Sequence, residues 1–304
     1  MIDSFAPDGN SATIKSSLGG GIIDFYNVRS KEDIVKLYFM SFHYDVIYDV
    51  LCCVSKYFSI LNKYHLLHPK LVSIYHHPSF AKVMRYGRSD VSVFFTDRLK
   101  SEAQKDVNDN RKMLSNYWYP DKKWYDVNSK PLVKCYDFMD NGKTGRDHES
   151  FVQALKAIDA SGIMICSESQ KEEYRRTNCK LDFFCQKSPN DLNVLPYINK
   201  TKVLVIPLTN KSEVLGPIGN TSYMDAIACG MPIICTSNAA FAKEVIDNNL
   251  GETYECGDTQ SLANAMKLTL EKYDLYHNNM IKFSQGHTIE QYSSQIMPFL
   301  LNNN

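Results

Sequence analysis

From Pro131 to Tyr273 the chain keeps a regular beat, with short apolar runs alternating with amphipathic stretches. "LVKCYDFM" reads as a strand. After a polar loop, Phe151, Val152, Leu155 and Ile158 fall on one face of a helix. "GIMICS", "LDFFCQ" and "KVLVIPL" are further strands, with a helix in "QKEEYRRT" and a short helix or turn in "DLNVLPYINK". "GPIGNTSYMDAIACGMPIICT", Gly216 to Thr236, supplies a helix, a turn and another strand. The helix "AAFAKEVIDNN", the strand-like "ETYE" and the helix "DTQSLANAMKLTLEKY" follow. Strands written as continuous apolar runs are buried on both faces, which predicts a parallel sheet with helices on either side. Such sheets take ligands beyond the carboxyl ends of their strands.

The first half is less regular. Its first twenty residues are polar and loop-like, ending in Gly19-Gly20-Gly21. "IIDFYNV" reads as a strand, Ser30 to Leu67 as largely helical, and "KLVSIYHH" and "SDVSVFFT" as strands. Between Asn108 and Lys130 the pattern dissolves into Tyr, Trp, Lys and Asp, which places a domain boundary there. The expected organisation is an N-terminal α/β domain over 1–126, a C-terminal Rossmann-like domain over 127–285, and a closing helix over 286–304 that packs back on the first domain.

Composition narrows the function classes. In 304 residues, 34 basic side chains balance 34 acidic ones, so no global charge argues for nucleic acid. The nine cysteines are scattered, odd in number and set inside apolar runs, the usage of small core residues in a reducing compartment. The longest apolar stretch is broken by Asp49, Lys56 and Lys63, which argues for a buried or interfacial helix rather than a span. The N-terminus lacks a basic start and an apolar segment, so a cytoplasmic location is expected.

Two loops carry candidate chemistry. "DNGKTGRDHE" offers Gly142 for close backbone approach, with Lys143 and Arg146 as positive charges for phosphate. Gly219, Asn220, Thr221 and Ser222 open a helix whose free N–H groups and dipole favour an anion. Asp225, one turn in, is placed to accept both hydroxyls of a ribose. The plain alternatives are a solvated turn and a simple helix cap. Both loops project from one sheet edge and hold the parts a nucleoside diphosphate needs, while the nicotinamide and P-loop glycine fingerprints are missing.

The run "VLVIPLT…GNTSYMDAIACGMPIICT…AKEVIDNNLGETYECGDTQSLANAM" resembles the nucleotide-sugar-binding half of GT-B glycosyltransferases of group 1, the family 4-like type. The matching positions are Asp225, Ala226, Ala228, Gly230, Pro232, Glu244, Gly251, Asp258 and Leu262, and "FMDNGKTGRDHESFVQAL" is similar to the family's phosphate-binding loop. The resemblance covers residues 131 to 285. It implies an α/β GT-B fold of two Rossmann-like domains facing a cleft, with the N-terminal one abbreviated. It also implies transfer of a sugar from a UDP- or GDP-linked donor to a saccharide or lipid-linked acceptor, in polysaccharide or glycan biosynthesis, with no separate cofactor and no metal. Donor-binding residues by this resemblance are Gly142, Lys143, Arg146, Gly219, Asn220, Thr221, Ser222 and Asp225, and the catalytic candidates are His76 and His77. The chain departs from the family at Pro217, where relatives keep an acid, with Glu213 displaced from that position. A sugar-nucleotide epimerase and a non-catalytic subunit are the alternatives. Arg111, Lys112, Lys122 and Lys123 are either a solvated face or a peripheral contact with the inner face of a membrane. On this reading, charge reversal at Arg146 abolishes donor binding and leaves the fold intact.

Overall fold

The structure is a computed structural model and describes residues 2–3, 24–26, 28–50, 52, 54–76, 85–106, 112–115, 119–128, 130–142, 144–185, 194–209 and 218–301. His77, Lys143, Arg111, Glu213 and Pro217 lie outside the described residues. The described chain forms two units, one reaching to Tyr119 and including the residues from Ile289 onward, the other between Pro120 and Thr288.

The first unit contains β1 (Ile2–Asp3), β2 (Asp24–Phe25), α1 (Lys31–Ser41), β3 (Val46–Asp49), α2 (Ser55–Lys63), β4 (Lys70–Tyr75), β5 (Val91–Phe94), α3 (Asp97–Asp106) and β6 (Lys112–Ser115). Its sheet runs β2-β1-β3-β4-β5-β6, all parallel. The segment expected to be largely helical is therefore split by β3. Val46, Ile47 and Tyr48 are β-branched and aromatic, a composition that suits a strand, and Ile47 and Tyr48 are buried. Asp49 ends the strand: its Oδ2 accepts the Val54 and Ser55 N–H groups at 3.0 and 2.6 Å, which starts α2. The polar opening residues likewise contribute β1, and the irregular region contributes β6.

The second unit contains α4 (Lys122–Asn128), β7 (Tyr136–Asn141), α5 (His148–Ile158), β8 (Gly162–Cys166), α6 (Glu168–Tyr174), β9 (Leu181–Cys185), α7 (Leu195–Asn199) and β10 (Thr201–Ile206). These are followed by α8 (Asn220–Cys229), β11 (Ile233–Thr236), α9 (Ala242–Asp247), β12 (Gly251–Tyr254), α10 (Thr259–Glu271) and α11 (Tyr273–Gly286). The last helix, α12 (Ile289–Leu301), belongs to the first unit, where Ile289, Tyr292 and Ile296 pack on Val72, Ile74 and Val91. There the Tyr292 and Tyr48 hydroxyls lie 3.0 Å apart.

The second sheet is parallel throughout, in the order β12-β11-β10-β7-β8-β9. Its central strands are the apolar runs of the sequence: β8 and β11 are buried along their whole length. Helices cover it through residues spaced for one face, Phe151, Val152 and Leu155 on α5 and Leu262, Ala263 and Met266 on α10. Asp147 and Asp258 cap those two helices by accepting the N–H groups of Ser150 and Ser261. The chain goes outward from β7 to β9 on one side, then returns to β10 on the other. The order therefore reverses between β7 and β10, and an open sheet of this kind forms its crevice at that point.

Candidate functional site

The loop after β7 is folded against the loop after β10. Asp147 N–H donates to Pro207 O at 2.7 Å, Thr209 N–H to Gly145 O at 3.0 Å, and Arg146 and Leu208 form an isolated antiparallel bridge. Arg146 turns inward, its side chain only 4% exposed. Nη1 donates to Thr144 O at 3.1 Å, and Nη2 donates to Asn141 O at 3.3 Å and Ser222 Oγ at 3.1 Å. Nε stands 3.8 Å from Oδ1 of Asp140, which is fully buried, and His148 Nδ1 donates to the other Asp140 oxygen at 2.6 Å. Burial lowers the guanidinium's pKa and the Asp140 charge opposes that shift. The residue expected to reach out to phosphate thus organises the loop from beneath. A charge reversal there would set a second carboxylate against Asp140, so the expectation of an intact fold does not hold.

Gly142 makes this inward fold possible. A Cβ built on it would lie 2.4 Å from Arg146 Nη2 and 2.6 Å from Cζ. Across the crevice, no side chain among the described residues caps α8. Its N-cap is Gly219 at φ +89°, a left-handed conformation that an L side chain rarely adopts, and a Cβ there would lie 2.9 Å from Ile206 Cγ2. Asn220 is buried, its amide 3.8 Å from Met224 Sδ, so the helix-capping alternative is not the arrangement found. Ser222 is buried too, donating to Asn141 O and accepting from Arg146, while Thr221 is exposed. The first-turn N–H groups and the Thr221 hydroxyl are what this helix start offers an anion. Gly219→Ala should cost about 1–3 kcal/mol of unfolding free energy, read as a lower urea midpoint with an unchanged m-value. An unaltered midpoint would contradict the backbone geometry at this turn.

Asp225 completes the arrangement. Tyr125 OH, from α4, donates to its Oδ1 at 2.5 Å, and Asn141 Nδ2, from the end of β7, donates to its Oδ2 at 2.7 Å. Burial pushes the carboxyl up to about 6, against the two hydrogen bonds, which favour the ionised form. Gly142, Arg146, Gly219, Asn220, Ser222 and Asp225 are therefore gathered at the β7–β10 switch point. His76 follows β4 in the other unit, its ring 6.0 Å from that of Phe95. Sequence reasoning passed over Tyr125, Asn141 and the Asp140–His148 pair. Asn141 and Asp140 stand in the quoted loop, but nothing local marks Tyr125 as the partner of a carboxylate 100 residues away.

Of the basic residues weighed for a membrane surface, Lys122 pairs with Asp126 at 3.0 Å, and no helix among the described residues is long and apolar enough to cross a membrane. Among the described residues, no group of three or more His, Cys, Asp or Glu side chains is gathered as a metal site.

Residues 144–272 match the family model "Glycosyl transferases group 1". No curated protein sequence matches the chain. Among solved structures the chain is similar to Anabaena HepE in complex with UDP, at 11% identity and a TM-score of 0.70 over 98% of each chain. HepE in complex with UDP-glucose gives 13% identity and a TM-score of 0.68 over 97% of this chain and 89% of that one. Sucrose-phosphate synthase from Thermosynechococcus elongatus gives 14% and 0.62, over 90% and 78%. At these identities the likeness shows the fold alone, a GT-B type chain of two α/β units, each with a parallel sheet. The family match falls on the segment that carries Arg146, α8 and Asp225, so this part of a chain with a GT-B fold is similar to group 1 glycosyl transferases.

Proposed function

We propose that this enzyme transfers a sugar from a nucleoside diphosphate donor, UDP-linked or GDP-linked, to a saccharide or lipid-linked acceptor in glycan or polysaccharide biosynthesis. The observation that carries the reading is the Asp225 carboxylate, set one turn into α8 at the switch point of the sheet. In this reading Asp225 accepts the ribose hydroxyls. The diphosphate lies over the first turn of α8, where the N–H groups, the helix dipole and Thr221 meet its charge. Arg146 acts through Ser222, which it holds from below, and adds a buried positive charge behind the phosphates.

Glycosyl transfer leaves negative charge on the departing diphosphate. Dipoles already aimed at that place stabilise the transition state without reorganising. Lys143 would add a direct charge from the same loop, and His76 and His77 are the candidates for contacts to the sugar or acceptor. The donor is the substrate, and no separate cofactor enters. One neighbour of the same fold, Anabaena HepE, was solved with UDP and with UDP-glucose, which favours a uridine donor over a guanosine one.

Calorimetry with UDP and with GDP tests the reading. One of them should bind with a Kd below about 1 mM, the usual range for substrates. Release of that nucleotide from its sugar conjugate should then depend on added saccharide or lipid-linked acceptor. Failure of both nucleotides to bind would overturn the proposal, and interconversion of nucleotide sugars without acceptor would replace it with an epimerase.

A further inference from the structure

Tyr125 lies in α4, outside the segment that matches the glycosyltransferase family, yet its hydroxyl makes one of the two hydrogen bonds to Asp225. Among the described residues, each Asp225 oxygen thereby receives one donor, Tyr125 on Oδ1 and Asn141 on Oδ2. A carboxylate oxygen has two lone-pair directions. One acceptor position is left on each oxygen, which is the number a vicinal diol requires.

Packing alone does not hold the phenol there. Trp124 meets the Tyr125 ring edge-on at 4.9 Å, but the half-buried ring also borders a cavity of about 260 Å³ lined by Cys229, Gly230 and His277. The bond to Asp225 ties the two side chains to one another.

We infer that Tyr125 is a positioning residue of the nucleotide site: its phenol fixes the Asp225 carboxylate in the orientation that accepts both hydroxyls of a ribose, and so sets a preference for ribonucleotides over their 2′-deoxy counterparts. This rests on the reading of Asp225 as the ribose acceptor. The charged groups around the pair support it. Lys122 and Asp126 flank Tyr125 on α4 and neutralise one another, Arg146 is spent on Ser222 and the loop carbonyls, and Lys134 donates to Thr201 O. His277, on α11, is bonded to Gly230 O. Among the described residues, Tyr125 and Asn141 are thus the groups bonded to the Asp225 carboxylate.

The test compares UDP with 2′-deoxy-UDP, by calorimetry between pH 5 and 8, for the wild type, Tyr125→Phe and Asp225→Asn (GDP and its deoxy form replace them if GDP is the nucleotide that binds). Wild type should prefer UDP, with affinity falling as pH drops through about 6. Losing a hydrogen bond to a charged group should raise the midpoint in Tyr125→Phe by about one pH unit, and should shrink the preference for the ribose form severalfold. A purely structural role for Tyr125 would move neither quantity. If Phe at this position unfolds the chain, Tyr125→Leu carries the same expectation.

An unchanged midpoint and an unchanged ribose preference in the Tyr125 variant overturn the inference and leave the site intact. Full UDP affinity and ribose preference in Asp225→Asn instead overturn the reading of Asp225, and the inference with it.

Discussion

Arg146→Met should lower the unfolding free energy by about 3–5 kcal/mol, measured by chemical denaturation. The substitution keeps the length and apolar stem of the side chain but removes every bond of the guanidinium. Thr144 O and Asn141 O then lose a donor, and Ser222 Oγ loses one of the bonds that tie α8 to the end of β7. The larger effect falls on Asp140, fully buried, which would lose the guanidinium charge and keep its hydrogen bond with His148. Breaking a buried pair from one side costs more than the pair contributes, because the remaining charge stays desolvated. A double-mutant cycle therefore distinguishes the two. Asp140→Asn combined with Arg146→Met should be at least about 1 kcal/mol less destabilised than the sum of the single changes. Arg146→Lys should fall between wild type and Met, because an ammonium point charge cannot span three acceptors laid out for a planar fork. Simple additivity would mean that Asp140 and Arg146 do not share one electrostatic unit.

How far the sequence shows this arrangement depends on which physical signal each part leaves behind. The strands of the second sheet are buried on both faces and so appear as uninterrupted apolar runs, with helices of one-faced spacing between them. That signal is local, and it carries the α/β class and the position of both loops. β3 leaves a weaker one. Its residues lie between two helices without a Gly or Pro to mark its limits, so the whole segment reads as helical. Gly219 and Gly142 are visible as glycines, but only the close approaches of Ile206 and Arg146 explain why no other residue serves. The direction of Arg146 is not visible at all. A basic residue beside glycines at a sheet edge suits a phosphate equally well whether it points outward or inward, and a buried Asp140 decides the matter. Tyr125 and Asp225 meet through the fold alone, from elements on opposite sides of the family-matched boundary.

Asp225→Asn should stabilise the protein at neutral pH and weaken nucleotide binding at the same time. The folded-state carboxyl has a pKa of about 6, above its ordinary value of 3.8. Ionisation therefore opposes folding: the carboxyl contributes fully below about pH 4, and its contribution is lost as pH rises through about 6. Above pH 7 the charged, half-buried group costs the fold about 2 kcal/mol, allowing for its partial exposure. An amide of the same shape avoids that cost and keeps both neighbours, accepting from Asn141 and donating to the Tyr125 oxygen. Denaturation at pH 7.5 should then show a gain of that size, and the difference between wild type and variant should vanish by pH 4. Nucleotide affinity should move the other way, by about tenfold or more, since hydrogen bonds from a ribose to a charged acceptor are worth about 1.5–3 kcal/mol. A carboxylate that ionises at the expense of the fold, with hydrogen-bond donors but no cation as its bonded partners among the described residues, is what a site retained for binding looks like. If Asp225→Asn proved less stable than wild type at pH 7.5, the carboxylate would be a structural group and that trade-off would not exist.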